Sequence, residues 1–254
     1  MNIINKIWLK ISNLIFIKII SLIRKLLFAV DKNKDYQGML SKDSNKEKFT
    51  EIYRMNFWHS KESGSGKGSE VIYTESLRSW LLRVLPEYGV EKFVDAACGD
   101  FNWMKLVVPQ LNIKYYGFDI VDSVIEKNIS KYSNDKTRFA VADICCDKLP
   151  DCDFLMIRDC LFHLSFSDIN KILANISGTE YKFLITTSHI LQDNHVNEDI
   201  ISGHFRNIDL FKKPFNFQRN HIVESCGDSI KDFTPREMIL IQKQNVPLNL
   251  DPSY

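Results

Sequence analysis

A chain of 254 residues that is 44% hydrophobic is long enough to bury a sizeable core, and it suits one α/β domain preceded by an extension. Its 33 basic and 32 acidic residues leave a net charge of +1, which argues against a nucleic-acid binder held by bulk charge. Its six cysteines form no C-x-x-C pair and no metal-ligand spacing. We therefore expect reduced thiols in a cytoplasmic protein, and no metal site.

Residues 1–30 carry five basic residues and no acid. On a helix the basic side chains gather on one side and the Ile and Leu side chains on the other, which predicts a basic amphipathic helix. The longest uncharged run between Lys10 and Lys18 is seven residues, whereas a membrane span needs roughly 20. This helix either lies on the inner face of the membrane or packs on protein. A polar linker is predicted over residues 31–48, followed by one domain over residues 49–254.

The apolar periodicity of the predicted domain alternates strands with helices, which indicates a parallel sheet covered on both faces. A Gly/Ser-rich run at residues 63–69 comes first, and it is either a flexible loop or an ordered loop over a ligand. The elements predicted after it are helix 75–85, ended by Pro86 and Gly89, strand 93–97, helix 101–108, strand 114–119, helix 122–131, strand 138–142, strand 153–158, helix 167–176, strand 182–187 and a last strand 238–241 near the sheet edge.

The stretch from Phe93 to Met104 predicts a buried strand, a tight turn at Gly99 and the start of a helix whose amides point at the turn. Asp119 follows Gly99 by 20 residues, at the end of the next predicted strand. An acid at this spacing suits the hydroxyls of an adenosine ribose. The full G-x-G-x-x-G pattern of dinucleotide-binding proteins is absent, so the glycine signal is incomplete.

These residues also resemble a known family. Residues 95–104 (D-A-A-C-G-D-F-N-W-M) and 115–120 (Y-Y-G-F-D-I) resemble the first two motifs of class I S-adenosylmethionine-dependent methyltransferases. Residues 156–165 (M-I-R-D-C-L-F-H-L-S), 202–210 and 214–217 are similar to later motifs of a branch found in bacterial capsule and surface-polysaccharide gene clusters. Some members of that branch lie in clusters for O-methyl phosphoramidate biosynthesis. The resemblance runs from about residue 49 to about residue 244.

The resemblance implies a Rossmann-like class I methyltransferase fold with a mostly parallel seven-stranded sheet, and S-adenosylmethionine as the cofactor. The cofactor-binding residues that it implies are Asp95, Cys98, Gly99, Asp100, Asp119, Ile120, Asp143 and Ile144. Near the methyl group it implies His163 as the general base, with Arg158 and Asp159 beside it to position the acceptor or to pair with each other. The implied acceptor-binding residues are Arg206, His204 and Trp103.

Each of these residues also has a structural interpretation. Asp95 can cap a turn, Asp119 can cap a helix, Trp103 can belong to the core, and a lone His163 after an apolar run can be structural. The acceptor segment departs from the family, because Phe205 stands where the family has Trp and Asn207 stands where it has Pro.

The sequence thus predicts a methyltransferase acting on a sugar, a phosphoramidate or a nucleotide-linked precursor of a surface glycan, without nucleic acid as a partner. Two alternatives remain open. One is a membrane-surface protein that keeps the fold without the reaction, and the other is an NAD-dependent oxidoreductase. A nucleic-acid methyltransferase is disfavoured, because residues 158–161 read R-D-C-L where such enzymes carry an N/D-P-P-Y/F motif.

Overall fold

The computed structural model describes residues 36–231 and 233–251. The chain divides into two compact units between Lys42 and Asp43. Of the first unit only its last residues are described, and residues 36–40 are helical. The predicted amphipathic helix over residues 1–30 lies outside the described residues. The second unit contains every element that follows.

A seven-stranded sheet with the strand order β3-β2-β1-β4-β5-β7-β6 forms the centre of this unit. The first five strands run parallel, and β7 pairs antiparallel with both β5 and β6. The strands are β1 (Lys92–Ala96), β2 (Lys114–Asp119), β3 (Thr137–Val141), β4 (Phe154–Ile157), β5 (Phe183–His189), β6 (Ile222–Gly227) and β7 (Arg236–Gln242). The predicted mostly parallel sheet is confirmed.

Within the described residues of the second unit, four α-helices accompany the sheet: α1 (Asn45–Arg54), α2 (Glu75–Glu87), α3 (Asp122–Tyr132) and α4 (Phe166–Ser177). A capping box at Ser44 and Glu47 starts α1, in which each side chain accepts from the other residue's backbone N–H. This helix begins inside the stretch predicted as a linker. Ser165 caps α4 by accepting a hydrogen bond from the backbone of Asp168, so the helix begins one residue before its predicted start at residue 167.

Strand alternation builds a core on each face of the sheet. Phe93 of β1 and Phe154 of β4 pack with the buried face of α2, whereas their neighbours Val94 and Leu155 pack with the buried face of α4. Neighbouring side chains point to opposite faces of a strand, so these short, continuously apolar strands supply both cores at once. The central strands are therefore held rigidly, and their carboxyl ends provide a fixed edge.

Two sequence predictions are corrected by the structure. No α-helix spans residues 101–108; short 3-10 turns at Met104–Leu106 and Val108–Gln110 stand there, because Phe101 adopts a left-handed φ of 58° and Pro109 lacks an amide proton. The last strand, which includes residues 238–241, lies near the sheet edge as predicted, with only the unpredicted β6 outside it. Helix α2 runs through Pro86 to Glu87, and Gly89 then takes a left-handed φ of 60°.

Candidate active site

One cavity of about 890 Å³, including the open space at its mouth, lies at the carboxyl ends of β1 to β4. Its wall contains most of the residues predicted to bind the cofactor: Asp95, Cys98, Gly99, Asp119, Ile120, Asp143 and Ile144. Arg158, Asp159, His163 and Trp103 also line it. Side chains that are far apart in the sequence meet here because parallel strands end at one edge of the sheet.

The turn after β1 is held by its own backbone rather than by a helix N-terminus. The amides of Ala97 and Cys98 both donate to the carbonyl of Phe118 at 2.8 Å, and the amide of Gly99 donates to Oδ2 of Asp119 at 3.0 Å. Ala97 and Gly99 have φ angles of 73° and 57°. The predicted role for helix amides at this turn is therefore wrong, and the turn is fixed instead by bonds to β2.

The Gly/Ser-rich run forms an ordered loop packed directly on this turn. Asp100 accepts hydrogen bonds from the Ser63 hydroxyl at 2.9 Å and from the Gly64 amide at 2.8 Å. The Ser65 hydroxyl accepts from the Asp100 amide at 3.0 Å and shares a hydrogen bond with Tyr53. A Cβ on Gly99 would lie 2.2 Å from Oγ of Ser65. Gly99 is therefore required by the loop as well as by its φ angle.

Asp100 itself does not line the cavity among the described residues, although the sequence placed it with the cofactor-binding set. Its carboxylate is turned toward the Ser63–Ser65 backbone and hydroxyls. Its role in this structure is to anchor the loop.

Two buried carboxylates face the cavity from β1 and β2. Burial raises the pKa of Asp95 to about 7, although the Tyr115 hydroxyl donates to Oδ2 at 2.7 Å and Arg158 lies near enough to oppose the shift. Burial also raises the pKa of Asp119 to about 6 against the backbone amides that it accepts from, which include those of Gly99 and Val121 at 3.0 Å. Two carboxylates with raised pKa values favour a ligand that brings positive charge or hydroxyl donors.

His163 sits in an aromatic environment with its tautomer fixed by the backbone. Its Nδ1 lies 2.9 Å from the carbonyl oxygen of His204, and a carbonyl can only accept, so Nδ1 carries the proton and Nε2 keeps its lone pair. The rings of Trp58 and Phe205 lie 5.4 and 5.7 Å from the imidazole. Burial lowers the pKa of His163 to about 4, so the imidazole is neutral at physiological pH.

Arg158 and Asp159 belong to a buried network of two arginines and two aspartates. Arg158 donates to Asp228 from Nε and Nη2 at 3.0 Å and also contacts Asp159 at 3.2 Å. Arg236 contacts both aspartates, and although burial opposes it, Arg158 and Arg236 hold the pKa of Asp159 below its usual range. Arg158 also donates to the Gly68 carbonyl at 2.9 Å, so the network anchors the far end of the Ser63–Ser69 loop.

The three residues predicted to bind the acceptor have different locations. Trp103 lines the cavity, with the Arg158 guanidinium 5.1 Å from its ring centroid. His204 contributes its backbone carbonyl to His163. Arg206 lines a different cavity and donates from Nη1 to the Leu164 carbonyl at 2.6 Å. Among the described residues, neither His204 nor Arg206 lines the first cavity.

Sequence reasoning missed the cover of the cavity, which is one face of α1. Asn45, Phe49 and Tyr53 recur every four residues and all line the cavity, followed by Trp58. The Asn45 amide donates to Asp168 at 2.8 Å, and Lys46 bonds Asp122 at 2.9 Å, so α1 is tied to the starts of α4 and α3. The spacing of four residues was the available signal, but it began inside the predicted linker.

Within residues 36–231 and 233–251, no group of three or more His, Cys, Asp or Glu side chains is arranged to hold a metal ion. In the same ranges no helix is both long enough and apolar enough to cross a bilayer.

Three solved structures with a similar fold are methyltransferase structures or were solved with SAH. The chain is similar to the crystal structure of magnesium protoporphyrin IX methyltransferase (ChlM) from Synechocystis PCC 6803 with bound SAH, with a TM-score of 0.56, 12% identity and coverage of 78% of this chain and 99% of that chain. The same enzyme with bound SAM has a TM-score of 0.56 and 13% identity, with coverage of 79% of this chain and 98% of that chain. The structure of PigF with SAH has a TM-score of 0.55 and 11% identity, with coverage of 79% of this chain and 63% of that chain. No protein-family model and no curated protein sequence matches this chain.

The strand order and these likenesses define the fold: the chain has the Rossmann-like fold of class I methyltransferases, as predicted. The antiparallel β7 inserted between β5 and β6 completes that fold.

Proposed function

We propose that this protein is an S-adenosylmethionine-dependent methyltransferase that acts on a hydroxyl or amine of a small-molecule acceptor. The observation that carries the proposal is one cavity in which the Gly99 turn, Asp95 and Asp119 face the same space as His163. The fold supports it, and the neighbours solved with SAM or SAH use that fold for methyl transfer.

The donor set of the cavity fits this cofactor. Asp119 accepts backbone N–H groups on both oxygens, and a carboxylate has about four lone-pair sites, so it keeps capacity for a ribose hydroxyl. Asp143, with the apolar side chains of Ile120 and Ile144, suits the adenine amino group and ring. Asp95 is the residue that we assign to the ammonium of the methionine end. When bound, the cofactor supplies a methyl group already activated by its sulfonium.

His163 is the group that we assign to the acceptor's proton. Its Nε2 has a lone pair in the neutral tautomer, and its ring is fixed by the His204 carbonyl and by the flanking aromatic rings. The Trp58 and Phe205 rings restrict the orientation of an acceptor near that nitrogen. Such positioning is the main contribution that a protein makes to an in-line displacement, and proton removal adds to it.

The acceptor that we propose is a sugar, a phosphoramidate or a nucleotide-linked precursor of a capsule or surface glycan. The support is the resemblance of residues 156–165, 202–210 and 214–217 to the surface-polysaccharide branch. Residues 1–30 carry a basic amphipathic pattern, from which we propose peripheral association with the inner face of the membrane, where such precursors are assembled.

Calorimetric titration with S-adenosylhomocysteine tests the cofactor. We expect the wild type to bind, and Asp119→Ala to lose roughly 1–3 kcal/mol, because buried hydroxyls would be left without an acceptor. Asp135→Ala, at an exposed position between α3 and β3 that does not line the first cavity, is the control and should bind as the wild type does. No binding by the wild type, together with binding of NAD, would replace this proposal with the oxidoreductase alternative.

The membrane proposal is tested separately by flotation with anionic vesicles. The full chain should float, and a chain lacking residues 1–30 should not. Equal behaviour of the two chains would refute it without affecting the cofactor assignment.

A further inference from the structure

A second cavity, of about 1100 Å³ including its open mouth, lies beside the segment that holds His163. His195, Glu198, Arg206 and Asn207 are among the residues of its wall. None of these lines the first cavity.

Arg206 is only 9% exposed and lacks partners for most of its guanidinium. Nη1 donates to the Leu164 carbonyl at 2.6 Å, and the group stacks 4.9 Å from the Phe166 ring centroid. Nε and Nη2 are buried and have no hydrogen-bond partner. Nε2 of His195 is also buried and unpartnered in the same wall. Buried charged donors are rarely left in this state, and a ligand, an ion or an ordered water normally completes them.

The two unpartnered nitrogens of Arg206, Nε and Nη2, have the geometry that binds an oxyanion. The N–H bonds of Nε and Nη2 run parallel along one edge of a guanidinium, and this edge binds carboxylate or phosphate through two hydrogen bonds. Nη1, on the other side, is already used for Leu164. The part of Arg206 that lacks partners is therefore the edge suited to an oxyanion.

No carboxylate among the described residues pairs with this edge. Asp199 is the carboxylate that acts on Arg206 electrostatically, but it accepts the amides of Phe166 at 2.6 Å and Ile200 at 2.8 Å. Glu198 is exposed at the wall and is not among the groups that act on Arg206 electrostatically. The positive charge of Arg206 is thus left for a ligand.

Hydrogen bonds fix the walls around this edge. The Asn197 side chain donates to the carbonyls of Asp209 at 2.9 Å and Lys213 at 2.8 Å, and accepts from the Asp209 amide. Asn207 donates to Thr234 at 3.0 Å. These contacts hold the backbone near Asn197 and Asn207 in place. The Nε and Nη2 atoms of Arg206 are themselves buried, so its side chain must leave the Leu164 carbonyl and turn toward the cavity to bind an oxyanion.

We propose that this cavity binds the oxyanion of the methyl acceptor, a phosphoryl or carboxylate group, through Nε and Nη2 of Arg206 with His195 beside them. The inference rests on the proposed methyltransferase function and narrows its acceptor to an anionic molecule.

The position of Arg206 relative to His163 gives the site a second effect. The Arg206 amide donates to the Phe162 carbonyl at 3.1 Å, and the Gly203 amide donates to the His163 carbonyl at 2.8 Å. Arg206 also acts on His163 electrostatically and lowers its pKa. An oxyanion bound to Arg206 would offset that charge and make Nε2 of His163 a stronger base when the acceptor is present.

The test follows the Nε–H signal of Arg206 in nitrogen-15 spectra of the full chain during titration with inorganic phosphate at constant ionic strength. We expect a saturable shift of that signal, assigned by its absence in Arg206→Lys. His195→Gln should weaken phosphate binding severalfold, and Glu198→Gln should leave it unchanged or tighten it. An unshifted Arg206 signal, or equal phosphate binding by the wild type and Arg206→Lys, would overturn the proposal.

A second arm separates an acceptor group from a free effector. A sugar phosphate should compete with inorganic phosphate at Arg206, whereas the parent sugar should not. If neither the sugar phosphate nor the parent sugar competes with inorganic phosphate, the cavity is an effector site for free phosphate, and the acceptor assignment is overturned. S-adenosylhomocysteine binding by the wild type is measured in parallel. A wild type that binds phosphate at Arg206 but not S-adenosylhomocysteine contradicts the methyltransferase function, whereas one that binds S-adenosylhomocysteine but not phosphate contradicts only the oxyanion site.

Discussion

We expect cofactor binding to depend on pH through Asp95, because burial raises the pKa of its carboxyl. With a pKa of about 7, this carboxyl is about 90% protonated at pH 6.0 and about 20% protonated at pH 7.5 in the free protein. A ligand whose ammonium requires the ionised form must displace that proton. Binding of S-adenosylhomocysteine should therefore weaken about eightfold, or about 1.3 kcal/mol, from pH 7.5 to pH 6.0.

Calorimetry in buffers of different ionisation enthalpy measures the protons released. Asp95 alone predicts release of about 0.9 proton per site at pH 6.0 and about 0.2 at pH 7.5. Asp119, with a pKa of about 6, adds at most about half a proton at pH 6.0. Asp95→Asn should remove the larger part of the release, and Asp119→Asn the smaller part.

Tyr115→Phe is a matched variant that leaves the carboxyl in place. The Tyr115 hydroxyl donates to Asp95 and stabilises its ionised form, so removing it should raise the pKa of Asp95 and increase proton release at pH 7.5. The assignment of Asp95 to a cationic group would be refuted if the wild type bound S-adenosylhomocysteine at pH 6.0 without releasing protons and with an affinity that does not change with pH.

Three further predictions concern the same site. Gly99→Ala should destabilise the protein by roughly 1–3 kcal/mol in chemical denaturation and abolish tight S-adenosylhomocysteine binding, because the φ of 57° at this position is left-handed and the added Cβ would meet Ser65. Ala97→Gly is the control, because Ala97 also has a left-handed φ, of 73°, and this variant should be neutral or stabilising by up to about 1 kcal/mol. His163→Gln should lower the methyl-transfer rate roughly 10²–10⁴-fold while calorimetric cofactor affinity is kept, and an unchanged rate would remove His163 as the base. The pKa of Asp95 is raised from its ordinary value of 3.8 to about 7, so this carboxyl stabilises the ligand-free fold fully at pH values below 3.8. This stabilisation is lost as the pH rises through about 7. In thermal denaturation, Asp95→Asn should therefore gain more in melting temperature relative to wild type at pH 8 than at pH 5, and a difference independent of pH would contradict the buried acid.

The sequence alone was sufficient for six of the seven strands, for the Gly99 turn and for the position of Asp119 at the end of β2. Short apolar runs bounded by turns specify buried strands, and a strand, a glycine turn and an acid 20 residues on specify neighbouring strand ends, because both signals depend on local chain geometry. The helix expected after Gly99 failed for a local reason too, since the left-handed Phe101 interrupts it. Strand β6 was missed because its half-exposed residues, flanked by loops, give a weak apolar pattern.

Contacts between distant segments of the chain could not be predicted from the sequence. The loop of Ser63–Ser65 lies against Asp100, and α1 covers the cavity through Tyr53, because hydrogen bonds across 12 to 37 residues hold them there. Arg206 was expected to bind the acceptor together with Trp103, yet its guanidinium bonds the Leu164 carbonyl and the residue lines a second cavity. A residue's type indicates which chemistry it offers, but only the packing of the chain decides which surface receives it. The sequence thus determined the fold and most of the residues that meet at the first cavity, whereas the tertiary structure decided what covers that cavity and which cavity Arg206 lines.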